Sequence, residues 1–190
     1  MSLQISIDLT DSDLQFFVDA AKRAQQKAAN LSEDQITSAA STLLVDSAKT
    51  NIPEFIRARL TKLEAMINMV KDTGWGLSDE DRKRVVSALA YFAEPDDVIP
   101  DNVPVLGFLD DAIMIELCQR ELQHEIDAYE DFVAYRRREA TTRGVELADV
   151  QMQRVDWLEA QRQELQARMR SRRQESYVSS SHGPMMFRVG

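Results

Sequence analysis

The chain has 190 residues, one cysteine and a formal net charge of −9, a length that supports a sizeable apolar core without help from metal or disulfide. A single cysteine excludes an internal disulfide, and Cys118, set among Ile113, Met114, Ile115 and Leu117, reads as a reduced, buried thiol of a cytoplasmic protein. Residues 1–10 lack the basic region and apolar core of a secretory signal. The longest mostly apolar stretch, 98–118, contains Asp101, Asp110, Asp111 and Glu116. Charges at mid-membrane cost roughly 3 kcal/mol each, so this stretch is not expected to span a bilayer.

Charge divides along the chain. Residues 1–150 carry 16 Lys and Arg against 28 Asp and Glu, net −12, whereas residues 151–190 carry 7 against 4, net +3. An acidic body argues against nucleic acid as a partner and limits membrane contact to the periphery.

Taken in order, Leu3, Ile5, Ile7 and Leu9 alternate with polar residues, the period of a half-buried strand. No second strand-like run follows. Residues 1–10 are therefore expected as an extended arm on the helices, with pairing to a second copy or a partner's edge as the alternative. Thr10 and Asp13 form a helix start, and Leu14, Phe17, Val18, Ala21 and Ala28 supply its apolar stripe. Ser32 and Gln35 open a second helix containing Ile36, Ala40, Leu43 and Leu44. Pro53 opens a third, with Ile56, Leu60, Leu63, Ile67 and Val70 on one face, and Gly74 and Gly76 end it. Trp75, between those glycines, reads as a lid on the core, with a partner contact as the alternative. Ser78 and Asp81 open a fourth helix, which Pro95 stops.

Three prolines then fall within ten residues, Pro95, Pro100 and Pro104, which forbids a regular helix and holds each preceding residue extended. A new helix is expected to begin between Pro104 and Phe108 and to run without a breaker to Arg143, with Gly144 at its C′ position. The string Tyr91-Phe92, Pro95, Asp97, Ile99-Pro100-Asp101, Pro104, Gly107, Asp110-Asp111 resembles the signature of the YkvA family, YF-x-x-P-x-D-x-I-P-D-x-x-P-x-x-G-x-x-DD, a bacterial domain of unknown function. The resemblance covers residues 85–122. It implies a helix-turn-helix unit in bacterial cytoplasmic or membrane-peripheral proteins and brings no established reaction.

The chemistry must then come from the residues. Asp111 shares a helical face with Ile115, Cys118 and Leu122, and Asp110 lies beside Ile113, Met114 and Leu117, so both carboxylates are expected to be at least partly buried. Buried carboxylates need partners. Backbone N–H groups of the Pro-rich turn and helix start, together with Arg82 or Arg84, are the structural ones. The alternative gathers Asp97, Asp101, Asp110 and Asp111 around Mg²⁺ or Ca²⁺; a divalent cation is the weaker reading, and no cofactor is expected. Glu121-x-x-His124 has di-iron spacing but needs a second such pair, and the remaining histidine is His182. No nucleophile with an activating base can be assembled, and no catalytic residue is assigned.

The last third reads as an interaction element. Leu122, Ile126, Tyr129 and Val133 precede Gly144, and Leu147, Val150, Val155, Leu158, Leu165 and Met169 follow it. Reversal at Gly144 sets Val133 opposite Val155 and Leu122 opposite Leu165, an antiparallel hairpin over 123–175. Arg136, Arg137, Arg138 and Arg143 cluster near the bend, and Arg168, Arg170, Arg172 and Arg173 near the far end. They form a solvated face or a contact for an anionic partner, whether acidic protein, RNA or lipid. Residues 176–190 read as a flexible tail. The expectation is an all-α protein: an extended segment over 1–10, a helical core over 11–122, the hairpin and the tail. It is expected to act as a non-catalytic interaction or adaptor protein with an unknown protein partner, self-associating as a homodimer in one version. A metal-dependent hydrolase built on the Asp cluster and a peripheral binder of anionic membrane or RNA are the alternatives.

Overall fold

The computed structural model describes residues 8–93, 99, 103 and 107–180, with side chains as far as residue 173. Every regular element among the described residues is helical: α1 (Asp11–Lys27), α2 (Glu33–Ala48), α3 (Glu54–Lys71), α4 (Asp79–Leu89), α5 (Leu109–Glu121), α6 (Gln123–Arg143) and α7 (Arg154–Ser180), with short 3₁₀ turns at Ala28–Asn30, Ala90–Ala93 and Leu147–Asp149. Of the alternating N-terminal run only Leu9 is described; Leu3, Ile5 and Ile7 lie outside the described residues. The chain divides into two compact units, Met1–Ala134 and Tyr135–Gly190, so the division falls inside α6.

The helix starts are set by local chemistry. At α1 the Thr10 hydroxyl accepts from the Asp13 N–H, and the Asp13 carboxylate accepts from the Thr10 N–H at 2.8 Å. The bond from the Thr10 hydroxyl first, and then that backbone bond, hold the Asp13 carboxyl below its usual range. Ser32 and Gln35 make the same reciprocal pair at α2, and Ser78 Oγ accepts from the Asp81 N–H at α4. Each cap contributes about 1 kcal/mol. Pro53 sits at the cap of α3 in extended geometry rather than at its first helical position.

In the first unit α3 is the hub. Ile56, Leu60, Leu63, Met66, Ile67, Met69 and Val70 are all buried, and α2, α4 and α5 pack on it. It ends at Lys71, ahead of the expected glycines, because Asp72 intervenes: its Oδ1 accepts from the Gly74 N–H at 2.9 Å and its Oδ2 from the Tyr129 hydroxyl at 3.3 Å. Gly76, at φ +59°, then takes the left-handed turn. Trp75 is core rather than lid. It is 1% exposed and meets the rings of Tyr129 and Phe132 at centroid distances of 5.6 and 5.4 Å.

The continuous helix expected up to Arg143 is broken at Leu122 (φ −107°, ψ 15°). Neither proline nor glycine marks the break. Leu122 and Ile126, each 1% exposed, are both kept in the core across it.

In the second unit α6 ends as the sequence predicts. Gly144 has φ +64°, its N–H donates to the Thr141 carbonyl at 3.2 Å, and the Val145 N–H donates to the Ala140 carbonyl at 3.1 Å, which is the Schellman closure. On α7, Val155 and Leu165 are 73% and 57% exposed. Ala140, Val150, Met152 and Trp157 are the buried apolar residues among those described in this unit. The helix also continues to Ser180, into the segment read as a tail from Ser176; residues 181–190 lie outside the described residues.

Phe108, which precedes α5, is the only non-glycine with positive φ among the described residues (φ +65°, ψ 11°), and it is 1% exposed. A buried ring holds the backbone in a conformation that costs an L-residue roughly 1–2 kcal/mol. Phe108→Ala is expected to lose about 3–5 kcal/mol through the cavity it leaves, and Phe108→Gly about 1 kcal/mol less, because glycine is unstrained there. Urea denaturation of the two variants measures the difference; alanine proving the milder change would show that the left-handed geometry carries no strain.

Candidate functional site

The segment linking α4 to α5 holds many of the residues singled out from the sequence. Tyr91 and Phe92 lie in the 3₁₀ turn after α4, their rings edge-to-face at 5.4 Å, with Phe92 buried and Tyr91 half-buried. Pro95, Asp97, Pro100, Asp101 and Pro104 lie outside the described residues. Gly107 is buried, and its N–H donates to the Val103 carbonyl at 2.8 Å.

Asp110 and Asp111 stand in the first turn of α5, 1% and 4% exposed. Burial follows from the apolar surroundings of this helix start, where Phe108, Ala112, Met114 and Ile115 are also buried. Two features compensate the desolvation. The helix N-terminus favours negative charge, and Asp110 Oδ2 accepts from the Ile99 N–H at 3.0 Å, a charge-assisted bond that fastens the linking segment to α5. The arginines expected as partners are engaged elsewhere. Arg82 donates to Glu33 at 2.7 Å and to the Val70 carbonyl at 3.0 Å, and Arg84 meets Glu125 at 2.8 Å. Among the described residues no group of three His, Cys, Asp or Glu side chains is placed to hold a metal ion.

Cys118 faces the core from α5, its Sγ directed at the Ala88 carbonyl at 3.8 Å. Burial, with a smaller contribution from the negative charge of Glu121, pushes the thiol up to about 12. That is the opposite of the setting a nucleophilic cysteine requires. His124 is exposed on α6.

The arginines differ among themselves. Arg136 is half-buried, whereas Arg137 and Arg138 are exposed, with Arg138 lying 5.5 Å from the Tyr135 ring centroid. Arg143 pairs with Glu139 and Arg168 with Glu164, each across one helical turn. Arg170, Arg172 and Arg173 are exposed on α7.

Two surfaces stand out, the first unrecognised from sequence and the second read there as one side of a hairpin. One is a groove of about 600 Å³ in the first unit, lined by Leu9, Leu14, Phe55, Ile113 and Leu117, with Arg59 and Glu116 paired at 3.4 Å on its wall. Phe55 is 47% exposed and precedes the buried Ile56; an aromatic one residue off an apolar stripe was the signal. The other is the outer face of α7, where Val155, Leu158, Leu165 and Met169 are 73%, 51%, 57% and 48% exposed.

Comparison with known proteins finds one family. Residues 82–117 match the model described as "Protein of unknown function (DUF1232)", a range that overlaps the 85–122 span over which the sequence resembles the YkvA signature. No curated protein and no solved structure matches the chain.

The buried acids and thiol generate three expectations. Asp110→Ala, which strips the Ile99 N–H of its acceptor, is expected to cost about 1–3 kcal/mol in urea denaturation, while Asp110→Asn, retaining an acceptor oxygen, costs less. Millimolar Mg²⁺, Mn²⁺ or Ca²⁺ is expected to leave Tm unchanged in the same protein; an ion at a hundred times its Kd would add about 2.7 kcal/mol and be unmistakable. Cys118 is expected to resist thiol reagents at pH 8 until the chain unfolds. Because its folded pKa is raised, its contribution is present below the ordinary thiol range and is lost as pH climbs towards 12. Stoichiometric labelling of the native protein at pH 8 would contradict that.

Proposed function

We propose that this chain, in which a DUF1232 segment joins α4 to α5, is a non-catalytic interaction protein whose contact surface is the outer face of α7. The observation that carries this reading is the row of four large apolar side chains left about half exposed or more on one helix. Scattered apolar residues need no explanation, but four repeating on one helical face mark a contact surface. The acids at the start of α5 support the same reading, because Asp110 spends one carboxylate oxygen fastening its own linking segment.

A second reading is favoured by one observation. Arg168, Arg170, Arg172 and Arg173 share α7 with the apolar row, a combination that also suits an anionic membrane surface or RNA. Salt separates the two, since binding to anionic vesicles or RNA weakens steeply between low and moderate ionic strength. Affinity capture from the native cell with the full chain and with a Leu158→Asp/Leu165→Asp variant tests the first reading. The variant is expected to lose the partners the unaltered chain retains; recovery of the same set would place the contact surface elsewhere.

A further inference from the structure

The exposed row on α7 has a strict spacing. Val155, Leu158, Arg162, Leu165, Met169 and Arg172 follow at intervals of three, four, three, four and three, which is the a/d seam of a coiled coil. All six are exposed. Trp157, the residue α7 buries, projects from a different side of the helix, at 100° per residue about a third of a turn from the seam. The seam is thus an outward face with coiled-coil periodicity.

We propose that the occupant of this seam is the α7 seam of a second copy of the chain, running antiparallel; this rests on the interaction reading above and names its partner. Charge decides the direction. In a parallel, in-register pair, Arg162 would face Arg162 and Arg172 would face Arg172 within the seam, two like-charge layers in a place that desolvates them. Antiparallel pairing about a dyad between Gln163 and Glu164 removes both clashes. Leu158 then meets the partner's Met169, Leu165 meets the partner's Arg162, and Val155 meets the partner's Arg172, whose aliphatic stem covers the valine while its guanidinium reaches water. The flanks agree. Residues 154–164 carry Asp156, Glu159 and Glu164 against Arg154 and Arg162, whereas residues 165–173 carry four arginines and no acid. Reversal sets the acidic half of each helix beside the basic half of the other.

Analytical ultracentrifugation of the full chain across a concentration series is expected to show a reversible species of twice the 21.6 kDa monomer mass. Leu165→Asp is expected to weaken association at least tenfold, with an unchanged circular dichroism spectrum. Direction is read by disulfide trapping, for which the buried Cys118 is no competitor. Leu158→Cys combined with Met169→Cys should crosslink efficiently, and Leu158→Cys alone should not. Efficient crosslinking by Leu158→Cys alone would mean a parallel pair and overturn the proposal. A chain monomeric at every concentration overturns it too. If that monomer still loses captured proteins on Leu165→Asp, the interaction reading survives without self-association. If it instead binds phosphatidylglycerol vesicles through the seam, the partner is lipid, self-association falls and the membrane reading replaces the protein-partner one.

Discussion

A helix with seven buried residues on a single short stretch has to be covered from more than one side, and α3 sets that demand for the first unit. The neighbours α2, α4 and α5 meet it. Covering α3 with α5 requires the chain to come back after α4, and the linking segment makes that return. Its burden is electrostatic as well as geometric. Bringing α5 onto the core carries two carboxylates out of water, so a donor has to be brought with them, and the Ile99 N–H serves for Asp110. The family-matched segment, 82–117, is therefore best understood as the covering of α3 from one side, with Asp110 part of the fastening.

Long-range ion pairs lie over this arrangement without deciding it. Glu33 with Arg82, Glu130 with Lys62 and Glu125 with Arg84 tie helices together at 2.6–2.8 Å, but each has a partly exposed side chain and contributes on the order of 0–1 kcal/mol. The apolar side chains buried on α3 contribute about 1.5–3 kcal/mol apiece in transfer terms. Order in the first unit is set by packing, and the charges select among packings already allowed.

What could be read from sequence was the chemistry that acts within a few residues. Thr10 with Asp13, Ser32 with Gln35, Ser78 with Asp81 and Gly144 at the end of α6 each satisfy backbone groups three or four positions away, so the signal and its cause share one window. The burial of Asp110 and Asp111 was legible for the same reason, since their helical neighbours are apolar. The break at Leu122, the left-handed Phe108 and the seating of Trp75 have causes at a distance. Leu122 has no breaker beside it, and Phe108 is held by a core the local sequence does not describe. The α7 stripe was legible as apolar, but periodicity says nothing of which surface, or which molecule, lies against such a face.

Asp72 has a consequence for how the first unit comes apart. One oxygen of its carboxylate holds the turn after α3 through Gly74 and the other holds the Tyr129 hydroxyl on α6, while Trp75 lies against the Tyr129 and Phe132 rings. The end of α3 cannot fray without releasing the middle of α6, nor the reverse. Two stretches nearly sixty positions apart along the chain thus belong to one cooperative opening unit, and their amide protons should exchange with solvent as a single group.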